Sequence, residues 1–246
     1  MGFIDEVDTP ARRTMTLFFM VDKSGSMYGS KIGALNDAIA NVLPIIGEIS
    51  ATNPDAEIKV ASMEFSNGVD WTYDTPKDAN DFQWIDIDAS GLTSLGAACN
   101  ELNAKLSRNG FMKTPSGSFA PVIILFSDGE PTDDYKSGIA NLKNNKWFTS
   151  AIKIAIAIGD DANTDVLAEF TGSKEAIFYV HNIEALKAVI RIVAVTSSQI
   201  GSKSSNAGDK SKQEQVEKDI KDQIGDIDGA ETAAENGSSD SYDDWD

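Results

Sequence analysis

Asp22, Ser24 and Ser26 stand at alternate positions directly after the apolar run Leu17-Phe18-Phe19-Met20-Val21. They place one carboxylate and two hydroxyls on a turn that Gly25 makes pliable. Hard oxygen donors this close together suit a divalent cation such as Mg2+ better than a soft metal or a nucleophilic mechanism. Two further segments carry oxygen donors in similar settings. Val122-Ile123-Ile124-Leu125-Phe126 stops at Ser127-Asp128-Gly129, and Gly91-Leu92-Thr93-Ser94-Leu95-Gly96 sets Thr93 just ahead of a helical pattern. Each of these alone is an ordinary helix cap or turn. Taken together, Asp22, Ser24, Ser26, Thr93 and Asp128 supply part of an octahedral shell that waters complete, as Mg2+ prefers. Mn2+ and Ca2+ accept the same donors.

Such convergence requires a particular scaffold. Apolar runs at Met15–Val21, Ile58–Phe65, Val122–Phe126, Ile154–Ile158 and Ile177–Val180 predict strands, several too continuously apolar to keep one face wet. Helical spacing fills the gaps at Ile32–Ile49, Leu95–Leu106, Tyr135–Asn145, Asp165–Phe170 and Ile183–Val195. The alternation predicts an α/β fold: a doubly wound, mostly parallel, Rossmann-like sheet with helices on both faces. Gly68–Tyr73 follows the second strand too closely for a crossover helix, which predicts one antiparallel edge strand. In such a sheet the loops after adjacent central strands meet where the chain reverses its winding, and a ligand site belongs there.

Composition narrows the function classes. The 246 residues are 41% hydrophobic and 24% charged, as in an ordinary globular protein. A net charge of -18 without a basic stripe argues against nucleic acid and against anionic membrane surfaces as partners. The acidic start Met1-Gly2-Phe3-Ile4-Asp5-Glu6 lacks a secretion-signal pattern, no stretch reads as a membrane span, and Cys99 is the single cysteine. Cytoplasmic residence is the expectation.

The spaced donors Asp22-x-Ser24-x-Ser26, then Thr93, then Asp128-Gly129 resemble the metal-ion-dependent adhesion site of von Willebrand factor A domains, over roughly residues 12 to 200. Gly91-Leu92-Thr93-x-Leu95-Gly96 and Ser127-Asp128-Gly129-Glu130-Pro131-Thr132-Asp133 look most like the intracellular bacterial branch with TerY-type tellurium-resistance proteins. The resemblance implies direct metal contacts from Ser24, Ser26 and Thr93, and contacts largely through water from Asp22 and Asp128. It implies a non-enzymatic module in which the cation binds an Asp or Glu of a partner protein. By the same resemblance, that partner is a kinase or phosphatase of a stress-response complex; the alternative is an AAA-type ATPase served by an adaptor.

An enzymatic reading is the remaining alternative. A haloacid-dehalogenase-like phosphohydrolase also sets an aspartate after its first strand, but needs a second one two positions on, where this chain has Ser24. Asp133 and Asp134 read as a solvated acidic rim, Lys23 as turned away from the site, Cys99 as a core residue and Asp226-x-Asp228-Gly229 as an incomplete calcium loop. The lone His181 pairs with no nucleophile motif. Periodicity stops near residue 200, so residues 1–200 are expected to form the domain. Residues 201–246 are expected to be an acidic, largely disordered tail. Within that tail Val216, Ile220 and Ile224 recur as in a short amphipathic helix. A tethered tail carboxylate can also compete for the open metal position.

Overall fold

In the computed structural model, which describes residues 11–128, 130–159, 162–204 and 211–234, one twisted sheet forms the middle layer. Its strands are β1 (Arg13–Asp22), β2 (Ala56–Phe65), β3 (Val69–Trp71), β4 (Lys77–Asp78), β5 (Val122–Ser127), β6 (Ile152–Ile158), β7 (Ile177–Val180) and β8 (Ala230–Thr232). The order is β3-β2-β1-β5-β6-β7-β8, with β4 also on β2. The five long strands run parallel, and β3, β4 and β8 are antiparallel. The predicted fold class therefore holds, with three antiparallel strands in place of the one expected.

Both faces of the sheet are covered, which explains the continuous apolar runs. Alternation along β1 sends Leu17, Phe19 and Val21 to one core and Phe18 and Met20 to the other. Helices α1 (Ser30–Thr52), α6 (Ile183–Gly201) and α7 (Lys212–Ile224) close the first core. Helices α2 (Leu95–Lys105), α3 (Tyr135–Lys143), α4 (Lys146–Ser150) and α5 (Thr164–Thr171) close the second. The segment predicted as one helix from Tyr135 to Asn145 ends at Lys143, and α4 starts after Asn145, whose side chain accepts from Trp147 N. Helices α2 and α3 cross at glycines: a Cβ on Gly138 would stand 2.6 Å from the Gly96 carbonyl oxygen.

Two expectations are corrected. Helix α1 is long and apolar enough to cross a membrane by length and composition, although no such stretch was expected. Its Leu35, Ile39, Val42, Leu43 and Ile46 are spent on the core, where the sheet takes the place of lipid. The fold also does not end near residue 200. Val216, Ile220 and Ile224 of α7 are buried, and β8 pairs along β7. Strand β6 begins before β7 does, and Gln213 covers the exposed backbone at Lys153: Lys153 N donates to Gln213 Oε1 at 2.8 Å, and Gln213 Nε2 donates to Lys153 O at 3.0 Å. A strand edge that must be covered thus holds a segment whose composition alone would leave it loose. The acidic stretch 235–246 lies outside the described residues.

Candidate metal centre

The chain reverses its winding between β1 and β5. From β1 it passes through α1 over one face to β2, and from β5 through α3 over the other face to β6. The carboxyl ends of β1 and β5 are adjacent, with Val21 beside Phe126, so Asp22 and Asp128 emerge into one crevice.

The loop after β1 is anchored by Met27, which is buried under α1. It folds as a short 3-10 turn, Gly25–Met27. Asp22 Oδ1 accepts from Ser24 N at 2.9 Å, and Asp22 Oδ2 accepts from the Ser127 hydroxyl at 2.8 Å. The Ser24 and Ser26 hydroxyl oxygens lie 3.1 Å apart, and Ser26 Oγ donates to Asp128 Oδ1 at 2.6 Å. Asp22, Ser24, Thr93 and Asp128 are buried while Ser26 is exposed, so the cluster opens to solvent on the Ser26 side.

Thr93 reaches the crevice on a third loop tied to the first. Ser90 N donates to Lys23 O at 2.7 Å and Gly25 N to Gly91 O at 3.0 Å. Gly91 has φ +87, a conformation that side-chain-bearing residues rarely adopt, and a Cβ there would stand 2.8 Å from Asn67 Nδ2. Thr132 closes the junction from the β5 loop: its N–H donates to Thr93 O at 2.8 Å, and its hydroxyl accepts from Thr93 N at 3.2 Å.

The electrostatics are those of a centre short of positive charge. Burial, the largest influence, pushes the Asp22 carboxyl up to about 6, with the nearby Asp128 adding to the rise and hydrogen bonds from Ser24 and Ser127 opposing it. Lys31, in the first turn of α1, sets its ammonium 3.1 Å from Asp128 Oδ2. A cation is therefore already drawn to the buried carboxylate, and the remaining donors are hydroxyl and carboxylate oxygens. This set fits a hard divalent ion.

Four of the five residues singled out by sequence, Asp22, Ser24, Ser26 and Asp128, share one hydrogen-bonded chain, and Thr93 is locked beside them through its backbone. Gly129 falls outside the described residues. Asp133 is not a rim residue: its carboxylate accepts from Gly96 N and Ala97 N, both at 2.9 Å, and so caps α2. Asp134 caps α3 through Ser137 N. Lys23 turns to Glu64 at 3.3 Å, Cys99 is buried in the core, where burial raises its thiol pKa, and His181 stacks on Tyr179 and pairs with Glu231 at 3.3 Å. Lys31 escaped sequence reading, and Ser127 and Thr132 stand in a motif read from sequence that assigned them no role. Lys31 left one trace, a cation in a helix's first turn where the dipole disfavours it.

The domain model for the von Willebrand factor type A domain matches residues 16–191, and the chain belongs to that family. Such domains are commonly modules for metal-dependent protein–protein interaction or adhesion. No curated protein matches the sequence. Among solved structures, a von Willebrand factor type A protein from Catenulispora acidiphila is similar at TM-score 0.57 and 18% identity, over 76% of this chain and 43% of its own. The pilus adhesin SpaC from Lactobacillus rhamnosus GG is similar at TM-score 0.59 and 15% identity, over 85% and 31%. Proximal thread matrix protein 1 from the mussel byssus, with a zinc-occupied MIDAS motif, is similar at 0.57 and 14%, over 77% and 49%. The chain thus spans less than half of each of these proteins, and at such identities the likeness is one of fold.

Proposed function

We propose that Asp22, Ser24, Ser26, Thr93 and Asp128 hold a divalent cation, with Mg2+ the favoured ion, and that the chain uses it to bind an Asp or Glu of a partner protein. The observation that carries this reading is the hydroxyl-to-carboxylate chain from Ser24 through Ser26 to Asp128, open to solvent at Ser26. When bound, the cation supplies electrostatic attraction for an incoming carboxylate. Mostly neutral hydroxyls in contact with it leave that attraction largely unspent. The chain's own residues do the rest: Asp22 orients the loop through Ser24 N and Ser127 fixes Asp22, while Lys31 competes with the cation for Asp128.

The rim supports a protein as ligand. Tyr28 and Leu92 are 79% and 59% exposed, and each lies within two residues of a proposed ligand. Two large apolar side chains on a metal-bearing crevice offer contact area that a carboxylate alone lacks. The motif resemblance supports a cytoplasmic, non-enzymatic role in a tellurium-resistance or stress-response complex. A pull-down from native cells with the full chain tests the reading. Capture is expected with Mg2+ and is expected to be lost in EDTA and in Asp128→Ala. Capture that persists in both contradicts it. A kinase or phosphatase among the captured proteins supports stress signalling, whereas an AAA-type ATPase points instead to a remodelling adaptor.

A further inference from the structure

One cleft concentrates cations without an acid in its lining. Its volume is about 520 Å3, and Arg13, Arg108, Lys146, Trp147, Ser118 and Ser150 line it. All of it sits at the amino-end pole of the sheet, opposite the metal centre. Arg13 opens β1, Ser118 precedes β5, Arg108 follows α2, and Lys146, Trp147 and Ser150 lie on α4 just ahead of β6. Arg13 is engaged locally, since it donates to Ser118 O and lies 4.0 Å over the Phe119 ring. Arg108 and Lys146 are exposed and form no ion pair among the described residues. Lys212 leans over the same Phe119 ring at 4.8 Å, its pKa lowered by burial and then by repulsion from Arg13. Asp55 offsets part of the charge at Lys212, but in a chain of net charge -18 the exposed Arg108 and Lys146 remain without an acidic partner among the described residues.

The chain carries a complement, and the last described residues before it lie at the same end of the sheet. Strand β8 runs antiparallel to β7, and Ala233 N donates to Ile177 O at 3.0 Å, at the amino end of β7. Beyond it the sequence continues to Asp240-Ser241-Tyr242-Asp243-Asp244-Trp245-Asp246. Ala233 also packs against the core on the α2–α5 side of the sheet, where α4 lies. From β8 to the cleft is about three strand spacings, roughly 15 Å. The metal centre lies a further strand length away, about 30 Å for β1. A dozen extended residues span up to about 40 Å.

We propose that this cleft is the docking site of the chain's own acidic segment Asp240–Asp246, bound in cis. Its carboxylates lie against Arg108 and Lys146, and half-buried Trp147 offers a ring to Tyr242 or Trp245. Each exposed ion pair contributes little alone. Tethering supplies the effective concentration that makes several of them sufficient. Docking is then reversible and salt-sensitive, and it holds the acidic segment away from the metal rather than over it.

The test uses the full chain with a nitroxide at Ser239→Cys; buried Cys99 stays unlabelled. The Trp147 indole N–H signal and the Arg108 and Lys146 amide signals are expected to lose intensity relative to the reduced label, while Ser26 and Thr93 keep theirs. The loss is expected to vanish in Arg108→Glu/Lys146→Glu, and also in about 1 M salt, where the Debye length is about 3 Å. An unaffected Trp147 signal, a loss centred on Ser26 and Thr93, or a loss indifferent to salt and to the double substitution overturns the proposal. So does equal broadening when isotope-labelled chains are mixed with separate spin-labelled chains, since that places the segment on a second copy.

Discussion

Burial sets the behaviour of Asp22. Its carboxyl is raised to about 6 in the folded chain, chiefly by burial. The protonated form is thus favoured on folding: this contribution is fully present below the ordinary value near 3.8 and is lost as pH rises through about 6. Without metal at neutral pH, the loss is about 3 kcal/mol. Asp22→Asn preserves an acceptor for Ser24 N and can donate to Ser127 through its amide. Urea unfolding in chelator near pH 8 is expected to show the variant more stable than the native chain by about 1–3 kcal/mol, and the difference is expected to disappear near pH 4. Lys31 adds a second case, because its ammonium competes for Asp128. Removing an ammonium that stands 3.1 Å from Asp128 Oδ2, as in Lys31→Met, is expected to tighten Mn2+ binding by at least about tenfold in calorimetry. Weaker binding would make Lys31 a support for the centre, not a competitor. The clustering of Asp22, Ser24, Ser26 and Asp128 was legible because their spacing places oxygen donors at strand ends. Lys31 and Ser127 were not, because they meet their partners across about a hundred residues of sequence and no local pattern encodes that.

At the scale of elements, the five parallel strands were legible because each is rich in buried apolar residues, and in β1, β5 and β7 these form unbroken runs of four or more. The carboxyl-terminal elements were not. Helix α7 shows only three apolar positions, and sequence periodicity cannot show that β6 and β7 leave edges for Gln213 and β8 to cover. Its docking is nevertheless integral: Ile220 is fully buried in the core shared with α6. Ile220→Ala is expected to cost about 2–4 kcal/mol in global denaturant unfolding, with the metal centre's affinity unchanged. A change below about 0.5 kcal/mol, the range of surface substitutions, would show that α7 is not part of the cooperative unit.

Across the whole molecule, the parallel sheet separates two poles of different chemistry. The carboxyl ends of its strands gather buried acids and hydroxyls, with exposed Tyr28 and Leu92 on the same loops, while the amino ends gather arginine, lysine and tryptophan. The first pole carries the central claim, that three loops jointly hold a cation whose remaining position accepts an outside carboxylate. Water-proton relaxation in a Mn2+ titration addresses this most directly, because it reports both the bound ion and the water that still exchanges on it. The account predicts one saturable site, loss of the enhancement in Ser24→Ala and Thr93→Ala, and a fall in enhancement when a short glutamate-bearing peptide is added. Enhancement that survives both substitutions, or that does not respond to the carboxylate, would contradict it.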